Sequence, residues 1–207
     1  MSATAVPPNI YIVGAQGTGK TTVVNELERH FRSNTQMPQI VSEVARQVQR
    51  EHPIIIEHIR SDPHQSLTLQ KWILAAQVEA EKEALSRGSW FVSDRSGLDP
   101  IVYARRYAGL EASEEMLGSA DWIVLKGRMA GSLVVVCEPG AEWPHDDDVR
   151  LIPEDREDWI QLHELFCRML EETGLAYCVL PAAMTDLSGR VDFVLSAWRR
   201  REELDKG

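Results

Sequence analysis

Residues 14–21 carry the clearest chemistry in this chain, because they read Gly-Ala-Gln-Gly-Thr-Gly-Lys-Thr. This order matches G-x-x-x-x-G-K-T/S, a phosphate-binding loop. Glycines at this spacing let the backbone turn tightly and point its N–H groups at a polyphosphate, while Lys20 brings positive charge to the β- and γ-phosphates. The hydroxyl of Thr21 is a ligand for Mg²⁺. The residues predicted to bind the nucleotide are Gly14, Gln16, Gly17, Thr18, Gly19, Lys20, Thr21 and Thr22.

The segments on either side of this loop have the strand–loop–helix order that the motif requires. Residues 9–13 form a short apolar run, which is typical of a buried strand. After the loop, Val23, Leu27 and Phe31 recur at helical spacing. This context argues against a chance glycine-rich turn, and it predicts a nucleotide-binding site.

Two carboxylates follow later apolar runs and are the next candidates for chemistry. Asp94 ends the run at 90–93, which is the position of an acid that holds Mg²⁺ beside the phosphates. The alternative is a turn or helix-capping acid. Glu43 follows the run at 39–42 and is a candidate to accept a proton from a substrate hydroxyl, or to anchor Arg95 or Mg²⁺. Arg95 is placed to contact a phosphate or substrate oxygen, or to pair with Glu43 or Asp94.

Apolar strand-like runs alternate with helical patterns along the whole chain. The predicted strands are 9–13, 39–42, 90–93, 133–137 and 176–180; the predicted helices lie near 20–32, 43–50, 67–87, 97–108, 113–126, 156–173 and 187–203. This alternation predicts one α/β domain over residues 1–207, with a parallel sheet covered by helices on both faces. Ligands of such sheets bind beyond the carboxyl ends of the strands, which is where the loop and both acids fall.

The polar segment 138–156 is a candidate lid, since it follows one strand and precedes a helix. It carries Arg150 and Arg156, and phosphoryl transfer needs positive charge over the migrating phosphate. We therefore treat both arginines as candidate catalytic residues. The alternative is that they pair with nearby acids such as Asp146 and only solubilise the loop.

Composition and charge exclude several classes of partner. The formal net charge of -10 argues against a nucleic-acid or acidic-membrane surface. The three cysteines have no metal-ligand spacing and cannot all pair, so a reduced, cytoplasmic protein is expected. No apolar stretch approaches the length of a membrane span.

Taken together, these motifs resemble the small AAA-type P-loop family that includes the ribosylnicotinamide kinase domain of the bacterial NAD regulator. The resemblance runs from about residue 9 to residue 181 and rests on the loop at 14–22, Ser-Glu-Val-Ala-Arg at 42–46, Asp-Arg-Ser at 94–96, and residues 143–150 with Arg156. The Asp-Arg-Ser triplet is also similar to that of deoxynucleoside and thymidylate kinases, in which the acid and the arginine meet the acceptor's 5′ region. The resemblance implies a P-loop NTPase three-layer sandwich with the strand order 2-3-1-4-5. By analogy with such kinases, a homodimer is one possible assembly.

The leading functional hypothesis is an ATP- and Mg²⁺-dependent kinase of a small, nucleoside-like acceptor that cannot be identified from the sequence. Its acceptor pocket is expected within residues 44–85 and 97–127, with Tyr103, Arg106 and Tyr107 as the favoured aromatic and basic candidates. The alternative is a nucleotide-binding switch or ATPase that signals to a protein partner. A GTPase is disfavoured because the guanine motif Asn-Lys-x-Asp is missing, and an AAA+ motor because no Asp-Glu pair ends the third strand.

Overall fold

The fold is built on a parallel sheet of five strands, as seen in a computed structural model that describes residues 6–32, 37–52, 56–140 and 153–204, with the side chains of 56, 57 and 204 excepted. The strands are β1 (Ile10–Val13), β2 (Gln39–Val41), β3 (Phe91–Asp94), β4 (Leu133–Cys137) and β5 (Cys178–Leu180). Their order in the sheet is β2-β3-β1-β4-β5, and every pair is parallel. The predicted fold class and strand order are therefore confirmed.

The helices of the described part of the chain cover both faces of this sheet. They are α1 (Lys20–Phe31), α2 (Val44–Glu51), α3 (Ile56–Ser61), α4 (Pro63–Arg87), α5 (Leu98–Tyr107), α6 (Leu110–Leu117), α7 (Ala120–Ala130), α8 (Arg156–Glu172) and α9 (Leu187–Leu204). Alternation along β1 shows the layering. Ile10 and Ile12 pack in a core with side chains of α1 and α9, whereas Tyr11 and Val13 pack in a second core with side chains of α4, α5, α7 and α8.

The main differences from the sequence prediction lie in three helical regions. The single helix expected at 113–126 is two helices, because Ser119 caps a new helix by accepting a hydrogen bond from the Trp122 N–H. Helix α4 begins four residues earlier than predicted, at Pro63, where the side chain of Asp62 caps the first turn. The short helix α3 was not predicted.

The cysteines and the hydropathy of the helices bear on two expectations from the sequence. All three cysteines are free thiols, with Cys137 buried in β4. Among the described residues, no helix combines the length and the apolar character needed to cross a membrane.

Candidate active site

The phosphate-binding loop lies between β1 and α1, at the carboxyl edge of the sheet. Gly17 and Gly19 have φ angles of 74° and 79°, in the left-handed region that glycine adopts without a steric cost. Gly14 has φ 127°, and a Cβ there would lie 2.9 Å from the carbonyl oxygen of Cys137. The loop can therefore pass this close to β4 only with glycine at position 14. Thr21 and Thr22 follow Lys20 in the first turn of α1, and both are exposed.

Lys20 is turned inward, into the loop that it is predicted to serve. Its Nζ donates to the carbonyl oxygen of Ala15 at 2.6 Å, and its side chain is almost completely buried. Burial, reinforced by the nearby charge of Arg95, lowers the pKa of the Lys20 ammonium to about 8, although Asp94 and Asp99 act in the opposite direction. The negative charge of a bound polyphosphate would strongly favour the charged form of this buried ammonium group.

Two side chains from distant helices hold the outer carbonyl groups of the loop. The indole Nε1 of Trp159, in α8, donates to the Gln16 carbonyl oxygen at 2.8 Å. A guanidinium nitrogen of Arg190, in α9, donates to the Thr18 carbonyl oxygen at 2.8 Å. These contacts fix the loop from outside. Sequence reasoning missed both residues, since partners more than 140 positions away carry no local signal.

Thr21 and Asp94 come together as the predicted Mg²⁺ pair. The Thr21 hydroxyl donates to Asp94 Oδ2 at 2.5 Å. Asp94 is buried, and its Oδ1 has no hydrogen-bond partner in the described part of the chain. One carboxylate and one hydroxyl fit Mg²⁺, which is bound through few protein ligands and keeps waters and phosphate oxygens. Among the described residues, no cluster of three or more His, Cys, Asp or Glu could hold a metal ion.

Glu43 and Arg95 form a buried ion pair at the neighbouring strand ends. Arg95 Nε donates to Glu43 Oε1 at 2.6 Å, and Arg46 Nε donates to Glu43 Oε2 at 2.8 Å. Burial acts to raise the pKa of Glu43, but the charge of Arg95 and the hydrogen bonds from both arginines outweigh it and lower this pKa to about 2. Glu43 is thus an ionised anchor for two guanidinium groups, which is one of the roles expected for it.

Asp99 completes the cluster around Arg95, and it was not among the residues predicted for the site. Its Oδ1 accepts from Arg95 at 3.1 Å, and its Oδ2 accepts from the backbone N–H and the hydroxyl of Ser96. Arg95 itself has φ 88°, an uncommon value for a side chain with a Cβ, which marks a strained position of the kind that clusters at active sites. Because α5 begins only at Leu98, Arg95 lies before the helix, and the contact with Asp99 is not a helical pair that the sequence pattern could have indicated.

A cleft of about 560 Å³, including the solvent at its mouth, joins the loop to this cluster. Gln16 of the phosphate loop lines one part of it, and α2, α4 and α5 supply the other walls. The polar and aromatic lining residues include Glu43, Arg46, Gln70, Gln77, Arg95 and Tyr103.

The other candidate pocket residues have mixed outcomes. Tyr103 lines the cleft, and the Arg95 guanidinium carbon lies 6.0 Å from the centre of its ring. Arg106 was wrongly placed there, because its guanidinium instead pairs with Asp158 of α8. Tyr107 stacks beside Tyr103 at a ring distance of 6.2 Å, outside the lining residues.

The candidate lid lies mainly outside the described residues. Arg150 falls in the range 141–152, of which the structure describes nothing. Arg156 is exposed and is the first residue of α8. The catalytic roles of both arginines stay predictions.

Solved structures with a similar fold belong to nucleotide-binding proteins. NadR in complex with NR matches over 84% of this chain with 21% identity and a TM-score of 0.59, and NadR in complex with NAD and AMP-PNP over 95% with 19% identity and a TM-score of 0.67. The chain spans about half the length of these NadR chains, 44% and 49%.

Two further similar structures are covered almost completely. Deoxyadenosine kinase from M. mycoides with bound dATP matches 91% of this chain and 97% of its own, with 16% identity and a TM-score of 0.60. Thymidylate kinase from Candida albicans matches 98% and 94%, with 14% identity and a TM-score of 0.57. At these identities the likeness shows a common fold.

The sequence itself decides the family. No curated protein sequence matches the chain. A family model described as AAA domain matches residues 9–189, which is most of the 207 residues and includes the phosphate loop, Glu43, Asp94 and Arg95. The chain therefore belongs to this AAA-domain family, a P-loop family related in structure to NadR and to the deoxynucleoside kinases.

Proposed function

We propose that this protein transfers the γ-phosphoryl group of ATP, with Mg²⁺, to a hydroxyl of a small nucleoside-like molecule. One observation carries the proposal: a single cleft is lined both by Gln16 of the phosphate loop and by the ion pair of Glu43 with Arg95. A donor held in the loop and an acceptor held at the ion pair would meet in that cleft. Such positioning, together with charge compensation, supplies most of the rate in phosphoryl transfer.

On the donor side, the loop N–H groups and Lys20 would hold the triphosphate. Thr21 and Asp94 would hold Mg²⁺, which supplies positive charge to the phosphate oxygens during transfer. The orphan Oδ1 of Asp94 supports this assignment, because a buried acceptor without a partner is costly unless a ligand satisfies it.

On the acceptor side, we assign Glu43 and Arg95 to orienting the substrate hydroxyl. With its pKa near 2, Glu43 is ionised at neutral pH and can accept a hydrogen bond from a hydroxyl, but it holds a proton only weakly. The loose transition state of phosphoryl transfer demands little proton transfer before the phosphoryl group has moved. Arg95, fixed by Glu43 and Asp99, would contact a phosphate or acceptor oxygen.

The solved structures support this choice of chemistry by what they bind. NadR is seen with NR and with AMP-PNP, and the deoxyadenosine kinase with dATP. Each is a small-molecule or nucleotide complex on the same fold. These likenesses support a nucleoside-like acceptor without identifying it.

The test compares ATP consumption with and without a panel of nucleosides, at saturating Mg²⁺. A kinase consumes ATP slowly alone and at least about tenfold faster with its acceptor, because the acceptor completes the site. A nucleotide-binding switch or ATPase, the alternative, has a rate that no small molecule changes. The Lys20→Ala variant is the matched control, since it removes the loop charge and should abolish the stimulated rate while the fold is retained.

A further inference from the structure

A buried carboxylate next to the cleft has no role in the transfer site described above. Glu81, in α4, is completely buried. Its Oε2 accepts hydrogen bonds from the hydroxyl of Tyr11 in β1, at 3.0 Å, and from Arg128 in α7, at 3.2 Å. Its Oε1 accepts from Nε2 of Gln77 at 3.0 Å. Burial raises the pKa of the Glu81 carboxyl, and the hydrogen bonds from Gln77, Tyr11 and Arg128 act in the opposite direction by favouring its ionised form, which can only accept.

This carboxylate decides which way the Gln77 side chain faces. Besides Glu81, the Nε2 of Gln77 also reaches the hydroxyl oxygen of Ser93 in β3, at 3.2 Å. A flipped amide would bring its oxygen against the Glu81 carboxylate, two acceptors facing each other. The orientation with Nε2 towards Glu81 is therefore the favourable one, and Oε1 of Gln77 faces away from the carboxylate.

Oε1 of Gln77 is a hydrogen-bond acceptor without a partner among the described residues. Gln77 is 1% exposed and lines the cleft, and its Oε1 has no hydrogen-bond partner among the described residues. Buried acceptors of this kind are rare because they cost free energy, and at a binding site a ligand donor can satisfy them.

We propose that Glu81 is a positioning residue: it fixes the Gln77 amide so that the cleft selects acceptor molecules carrying an N–H donor, such as an amino or carboxamide group. This inference rests on the proposed function, since it names the chemistry of the acceptor for that cleft. A molecule of the same shape without the donor leaves Oε1 of Gln77 unpaired, and sites built this way reject such analogues strongly.

The chain supplies a matched control for the Gln77–Glu81 pair. Gln47 and Glu51, in α2, have the same spacing and the same hydrogen bond, 2.8 Å, but both are exposed. Substitutions at Glu51 change an equivalent pair that touches no part of the cleft. They should alter neither acceptor selection nor turnover.

The test uses two pairs of ribosides, in each of which only the first member carries an NH₂ donor. They are deoxyadenosine against purine deoxyriboside, and nicotinamide riboside against 3-acetylpyridine riboside. In the wild type we expect the donor member of at least one pair to bind at least about tenfold more tightly by calorimetry. In Glu81→Gln, where the amide at 77 can face either way, the preference should fall to within about twofold, with the KM for ATP unchanged.

Equal affinities within both pairs overturn the proposal, as does a preference that Glu81→Gln leaves intact. Because Glu81→Gln leaves Arg128 charged, the double variant with Arg128→Gln is a second test in which no unpaired charge remains. Gln77→Met is a third, since it keeps Glu81 and should also lose the preference. Glu51→Gln must behave as the wild type.

A second measurement separates this inference from the proposed function. Solvent exchange of the Gln77 side-chain amide is followed by NMR, with Gln47 as the exposed reference. We expect slow exchange at Gln77 that Glu81→Gln accelerates at least about tenfold, as for loss of a buried hydrogen bond. If no riboside binds, the nucleoside proposal is wrong; a Gln77 exchange rate that Glu81→Gln does not change then contradicts the positioning role itself.

Discussion

The pH dependence of nucleotide binding tests the environment of Lys20. Burial and the charge of Arg95 lower its pKa to about 8 in the free protein, so at pH 8 about half of the molecules carry a neutral Lys20. A bound triphosphate favours the charged form and raises this pKa. Binding at pH 8 should therefore take up about half a proton at this residue. Above pH 8, affinity should fall about tenfold per pH unit until the pKa of the complex is reached.

Calorimetry in two buffers of different ionisation enthalpy measures this proton count directly. Lys20→Arg is the control, since a guanidinium stays charged throughout the range and should take up no proton at this position. Affinity for the nucleotide is greatest below the free pKa, where Lys20 is already protonated, so binding should not release a proton from this residue. Proton uptake that is absent in the wild type, or equal in Lys20→Arg, would refute the burial argument.

Three further predictions concern the same site. Asp94→Asn and Glu43→Gln should each slow phosphoryl transfer about 10²-fold or more, but only Asp94→Asn should weaken the response to Mg²⁺; unchanged transfer in both rejects their roles. Trp159→Phe removes the hydrogen-bond donor to the Gln16 carbonyl oxygen and should raise the KM for ATP about tenfold. An unchanged KM would contradict the role of Trp159 in holding the loop. Because the pKa of Glu43 lies near 2 instead of 4.5, its ionisation stabilises the fold by about 3 kcal/mol above pH 5, and this contribution is lost as the pH falls towards 2. The difference in unfolding free energy between the wild type and Glu43→Gln should therefore shrink over the same pH range, and a difference that does not change with pH contradicts the ion pair.

The sheet was predictable because its determinants are local. Each strand is a short apolar run, and the glycine-rich loop fixes the first strand–loop–helix unit. The break between α6 and α7 was not predicted because the apolar pattern continues across it. The break is indicated only by Gly118 and the capping Ser119, and this short signal is weaker than the helical periodicity around it.

The arrangement of the candidate site was predictable for residues that directly follow a strand, and not for residues that distant helices bring to it. Thr21, Glu43, Asp94 and Arg95 lie at strand or loop ends, so the parallel sheet brings them to one edge. Trp159 reaches the loop from 143 residues away, and Arg190 from 172. Such contacts depend on how whole helices pack. The same dependence explains why Arg106, on the expected helix, pairs with Asp158 of another helix.

The most direct test of the central claim is the mass of the acceptor. Candidate nucleosides are incubated with ATP, Mg²⁺ and the protein, and each is analysed for one added phosphoryl group. We expect an acceptor that gains this mass while ATP becomes ADP, and no gain with Lys20→Ala, which lacks the charge on the β- and γ-phosphates. Steady conversion of ATP to ADP with phosphate released to water, and no acceptor gaining mass, would contradict the kinase assignment and favour a nucleotide-hydrolysing switch.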